Sequence, residues 1–219
     1  MISRLFNNLS LVLGCCLLVG SGLALEAAAQ PASGAPLYFR EDWKEIPAAI
    51  PVTQEHVNNP ELTLHTYGQA KDSIKKSHHE QPANDPYYIW SGECKGSWGL
   101  TLSKAGSNAD FSTDGVVRWR SRQSGERFPR VLIRLANGRF YVSDQTDSNS
   151  AEWHIFSFIL ERVTWSALDI EKFVPIPGHK NPDVSRVSEI GFTDLEPGAG
   201  SDLSSRIDWI EVYAQPSSR

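Results

Sequence analysis

Arg130-Val-Leu-Ile-Arg-Leu-Ala-Asn-Gly-Arg-Phe-Tyr-Val-Ser143 decides how this chain is read. Two short apolar runs flank Asn137-Gly138, the strongest short-range hairpin signal, because glycine reaches positive φ without a Cβ clash. Alternate residues of a strand face opposite sides. Val131, Ile133 and Leu135 therefore point to a core, and Arg130, Leu132 and Arg134 point the other way.

The pattern recurs on both sides of the hairpin. Val116-Val-Arg-Trp-Arg-Ser-Arg122 sets Val117 and Trp119 against Arg118, Arg120 and Arg122. Residues 61–67, 87–91 and 98–102 read as earlier strands, and residues 153–162, 163–170 and 206–214 as later ones. Residues 166–173 also suit a short helix or turn, and the polar stretch 68–86 reads as a long loop. Strands about every 8–15 residues, with hardly any helical period, predict an all-β two-sheet sandwich or jelly roll. One domain is expected over residues 37–214, after a flexible lead-in at 30–36 (QPASGAP).

Before the lead-in, Arg4 precedes LSLVLGCCLLVGSGLAL at 9–25, and Ala27 and Ala29 supply small residues before Gln30. Residues 1–29 have the layout of a cleaved secretory signal peptide, which predicts a secreted or periplasmic protein with no membrane attachment afterwards. Two alternatives stay open. About 17 apolar residues can also span as an uncleaved anchor, and Leu13-Gly14-Cys15 resembles a lipid-attachment site. Cleavage would leave Cys94 as the single thiol, so an internal disulfide is excluded and a small buried residue is expected. No base stands at a telling spacing to make it a nucleophile.

The chain has 219 residues, 40% hydrophobic and 21% charged, with a net charge of −5. That balance argues against a nucleic-acid partner. Residues 118–139 break it, with seven arginines and one acid, Glu126. Such a run can be a solvated sheet face that discourages edge association. It can also be a ligand face, because a guanidinium forks onto carboxylate or sulfate and stacks on rings. The second case places a polysaccharide, including an acidic one, against Arg118, Arg120, Arg122 and Arg134, with Tyr141 as a stacking ring and Asp144 as a hydroxyl acceptor.

Catalytic signals are sparse. His78 and His79 lie in the polar loop, and an ordinary histidine titrates near neutrality, so either is a candidate base. Glu93, Asp110, Asp144, Glu152 and Asp194 are acids, but no spacing selects a pair for glycoside hydrolysis. No G-x-S-x-G, H-E-x-x-H, P-loop or dinucleotide fingerprint occurs. Three functions remain. The first is a non-catalytic carbohydrate-binding module. The second is a lyase or glycoside hydrolase using His78 or His79 with an arginine. The third is a cell-envelope assembly or protein-binding domain.

Val187-Ser-Glu-Ile-Gly-Phe-Thr-Asp194 and Arg206-Ile-Asp-Trp-Ile-Glu-Val-Tyr213 add a resemblance. With 116–122, 130–135 and the Trp165…Pro175 stretch, they resemble galactose-binding-like jelly rolls of the CIA30 and family-11 carbohydrate-binding-module type, over about residues 110–214. The first half departs from that pattern, and a concanavalin-like sandwich is the alternative. The resemblance implies a sugar- or protein-binding sheet face and, often, one structural calcium; no other cofactor is expected. Strand parity puts Asp208 beside Ile210 and Val212, and an acid on an apolar face needs a metal or hydrogen-bonding partner. Asp42, or Glu41, would complete a calcium site; backbone N–H groups or an arginine are the other partners open to Asp208.

Overall fold

A computed structural model describes residues 34–219. The signal-peptide segment and residues 30–33 of the lead-in lie outside the described residues. Among those described there is no α-helix, and no helix is long and apolar enough to cross a membrane.

The strands run β1 (Leu37–Glu41), β2 (Leu62–Tyr67), β3 (Lys75–Ser77), β4 (Tyr88–Trp90) and β5 (Gly99–Lys104). Then come β6 (Ser107–Asp110), β7 (Val116–Ser124), β8 (Arg130–Leu135), β9 (Phe140–Ser143) and β10 (His154–Ile159). The last are β11 (Trp165–Asp169), β12 (Val174–Lys180), β13 (Val187–Thr193), β14 (Ser204–Tyr213) and β15 (Gln215–Ser218). They form two sheets. The first has the order β10-β7-β14-β4-β3, with β1 along the other end of β14. The second has the order β12-β11-β9-β8-β13-β5-β2, with β6 and β15 appended at β13. The described strand pairs are antiparallel. The chain leaves the first sheet after β7, returns at β10, leaves again and closes with β14 beside β1, so it is a two-sheet sandwich with jelly-roll crossings.

Alternation explains the core. Val117, Trp119, Ile210 and Val212 of the first sheet meet Val131, Ile133, Leu100, Leu102 and Phe192 of the second, all essentially buried. Each such side chain contributes roughly 1.5–3 kcal/mol by leaving water. Trp119 stacks against Phe158 at 4.6 Å and Phe192 at 6.1 Å. Outward-facing Leu132 is buried too, because it joins Phe140, Val142, Leu168 and Phe173 in a second small cluster over the back of its sheet. Gly138 has φ +86°, and β8 and β9 pair as the sequence predicts.

Other expectations need correction. Of the helix and the turn open to residues 166–173, the turn is found, at 170–173: β11 runs to Asp169, and the turn brings Phe173 back onto its own sheet. The loop 68–86 contains β3, whose Lys75–Ser77 pair with β4. β12 is exposed throughout, so no apolar alternation announces it, and its two prolines protect an edge strand. Cys94 is fully buried, and burial pushes its thiol up to about 12. That leaves it protonated and inert at neutral pH.

Asp194 follows β13 and is buried beside Arg127 (3.9 Å) and Ser205 Oγ (3.1 Å). Burial raises its carboxyl to about 6 against the pull of Arg127. The folded state then holds a proton that the unfolded chain releases, so this group's contribution is greatest below about pH 4 and is lost as pH rises to about 6. Asp194→Asn is expected to flatten that limb of the urea midpoint measured against pH; an unchanged limb would assign it elsewhere.

Candidate functional site

β7, β14 and β1 turn a ladder of charged and aromatic side chains outward from the first sheet. In one cross-strand row Arg40 faces Glu211, and Glu211 faces Arg118. Glu211 binds both guanidiniums, Arg118 at 3.2 Å, and accepts the Tyr213 hydroxyl at 3.1 Å. Both arginines also stack on Trp209, at 4.6 and 5.3 Å from the ring centre. A cation on an indole face gains from the ring quadrupole, more so when half-buried.

The next row is Trp209 opposite Arg120. The register shifts between Ile207 and Trp209, so Ile207 and Ile210 both face the core and Asp208 is released from strand parity. This corrects the placement of Asp208 on the apolar face. Its carboxylate accepts from Arg120 at 2.7 Å, and Arg120 stacks on Trp153 at 5.2 Å. Burial pushes the Asp208 carboxyl up, and Arg120 pulls the other way.

Asp208 opens onto a cleft of about 660 Å³ walled by Asp42, Glu45, Asn58, His78, Asp85 and Tyr87, among others. Asp42 is held by Arg40 Nε at 2.8 and 2.9 Å. His78 stacks flat on Tyr87 at 4.0 Å. His79 points largely to solvent but bonds Asp85 (2.9 Å) and the Tyr88 hydroxyl (3.1 Å) at the rim. Tyr88 meets Trp153 edge-on at 5.5 Å, which ties this rim to the arginine ladder. The fold thus gathers Arg118, Arg120, Arg122, Asp42, Asp208, His78 and His79 on one side of the sandwich.

Arg134, Tyr141 and Asp144 do not join them. β7 and β8 are neighbours in sequence, but the chain changes sheets between them, so Arg134 faces outward from the other sheet. There it pairs with Glu189 at 2.7 Å. Burial pushes the Glu189 carboxyl up, but hydrogen bonds from Thr101, Tyr67 and Arg134 outweigh it and hold it below the usual carboxylate range. Tyr141 is buried, with its ring in the main core. Asp144 caps a turn, accepting the Gln145 and Thr164 N–H groups at 2.8 Å.

Asp42 and Asp208 do not fit a calcium shell. Arginines engage both carboxylates, and among the described residues no three His, Cys, Asp or Glu side chains stand together as ligands would. Sequence reasoning missed Glu45, Asn58 and Asp85 at the cleft, all on loops without periodic signal, and it read Tyr87 and Trp153 as strand residues, whereas each lies just before its strand. It also missed Glu211 as the counter-ion of Arg118.

No protein-family model matches the chain, and no curated protein does. Among solved structures it is similar to the family 11 carbohydrate-binding module of a cellulosomal cellulase of Clostridium thermocellum. That match has 12% identity and a TM-score of 0.45, over 84% of this chain and 96% of that one. The module from Clostridium thermocellum in complex with a β-1,3-1,4-mixed-linked tetrasaccharide matches at 15% and 0.46, over 78% and 98%. An exo-β-agarase matches at 13% and 0.39, over 79% of this chain and 26% of the enzyme.

Proposed function

We propose that the protein is a carbohydrate-binding module-like protein that holds an oligosaccharide along the outer face of the first sheet and in the adjoining cleft. The observation that supports this is the meeting of Asp42, Asn58, Asp85 and Asp208 with Tyr87 and the Trp153 rim in one polar cleft. Sugars present hydroxyls at fixed angles and C–H faces between them. Carboxylates and amides accept the first, and ring faces cover the second. Arg40 and Arg120 fix Asp42 and Asp208 before a ligand arrives, which reduces the ordering cost of binding. Export through the leader would set this cleft in the periplasm or outside the cell.

Wild type and the variants Asp208→Ala and Trp153→Ala should be passed over an oligosaccharide array. Each variant is expected to weaken retention about tenfold or more, with far-UV circular dichroism unchanged. Equal retention by all three proteins would refute the site.

His78 among four cleft carboxylates favours a second reading, a polysaccharide-acting enzyme. Release of reducing ends by wild type, abolished in His78→Ala, would select it; binding without release selects the module.

A further inference from the structure

Three rows of side chains cross the outer face of the first sheet, and they differ in how their charge is met. Glu211 answers Arg40 and Arg118 in the first, and Asp208 answers Arg120 in the second. In the third, Lys75 pairs in register with Trp90, Trp90 with Arg206, and Arg206 with Arg122, across β3, β4, β14 and β7. Three cations thus share one row of about 14 Å, at about 4.8 Å per strand. Among the described residues no ion pair joins Lys75, Arg122 or Arg206 to a carboxylate. Arg206 donates only to Ser124 Oγ, at 2.8 Å.

Like charges directly opposite on neighbouring strands destabilise a sheet. Arg206 and Arg122 are so placed, and among the described residues no carboxylate pairs with either. The ring between the cations is fixed. Lys75 lies 5.3 Å and Arg206 6.0 Å from the centre of Trp90. A Cβ at Gly92 would fall 2.0 Å from the same indole, so the loop backbone packs flat against it. The Trp90 N–H is buried with no acceptor. Two forked donors and an ammonium in one row beside a fixed indole suit a compact oxyanion, because charge-assisted bonds from guanidinium are the strong, directional ones.

We infer that Lys75, Trp90, Arg206 and Arg122 form a subsite for a sulfate or carboxylate substituent of the bound sugar; for its ligand this rests on the carbohydrate-binding reading above. The substituent would lie one row beyond Asp208, so one glycan chain can reach both the cleft and the cationic row.

The test has two arms. In the first, the Trp90 indole resonance, assigned with Trp90→Phe, is followed while inorganic sulfate replaces chloride at constant ionic strength. A saturable shift is expected, and it should vanish in Arg122→Gln/Arg206→Gln. A shift that is linear, or that survives in the double variant, overturns the subsite. In the second arm, neutral, sulfated and uronate oligosaccharides of equal length are compared. Wild type is expected to prefer at least one anionic form about tenfold. The double variant should bind all forms like the neutral one and melt no lower than wild type. Neutral and anionic forms bound alike by wild type would overturn the subsite and leave the sugar cleft standing. A saturable sulfate shift without any sugar binding would support the anion site and overturn the sugar reading.

Discussion

Asp147→Ala is expected to lower stability by about 3–5 kcal/mol, the range for removing one partner of a buried charged cluster. Asp147 is fully buried between the sheets. It accepts from Trp119 Nε1 at 2.8 Å, His154 Nε2 at 2.7 Å and the Ser121 hydroxyl. Its own N–H donates to Pro129 O at 2.8 Å, which anchors the loop after β9 at the start of β8. Without the carboxylate, the Trp119 indole and the Ser121 hydroxyl, both fully buried, lose their acceptor, Gln123 Nε2 (3.4 Å) and partly exposed His154 lose theirs too, and Trp119 loses the contact that orients it in the core. Asp147→Asn should recover part of the loss, since the amide oxygen still accepts from the indole. Denaturant midpoints of both variants check this; a loss under about 1 kcal/mol for the alanine variant would mean the donors find new partners.

Glu211→Ala is expected to cost about 3 kcal/mol or more, because Arg118 is only 4% exposed and would lose the carboxylate that faces it. The loss should reach function as well. Glu211 sets the angle at which Arg40 and Arg118 cover Trp209, and Arg40 in turn holds Asp42 at the cleft. The double replacement Glu211→Leu/Arg118→Met removes both charges and should regain most of the stability, as apolar replacements of buried pairs often do. It should not regain sugar retention. Recovery of both would show that the ladder is only a solvated scaffold.

Local periodicity carried much of this architecture. The parity of 116–122 and 130–135 is legible because a strand with one buried face must alternate, and the Asn137-Gly138 hairpin follows from backbone sterics alone. Which sheet a strand joins is a tertiary choice, so nothing in the Arg134 alternation shows that it faces away from Arg118, Arg120 and Arg122. Asp208 was misplaced for a different reason: a register shift beside it resets a period of two. The cleft was hardest to see. Its Glu45, Asn58 and Asp85 sit on loops brought together by contacts far apart in sequence, and its rim depends on Trp153, which lies just before β10. Lys75, Trp90 and Arg206 are each unremarkable in the sequence, and it is strand register that sets them in one row with Arg122, which the sequence grouped only with Arg118 and Arg120.

Amide and indole chemical-shift mapping with the tightest oligosaccharide from the array tests the central claim most directly. Perturbations should converge on Asp42, Asn58, Asp85, Tyr87, Trp153 and Asp208. Shifts gathered instead around Tyr67, Arg134, Phe140 and Glu189 would place the ligand on the opposite sheet and contradict the account.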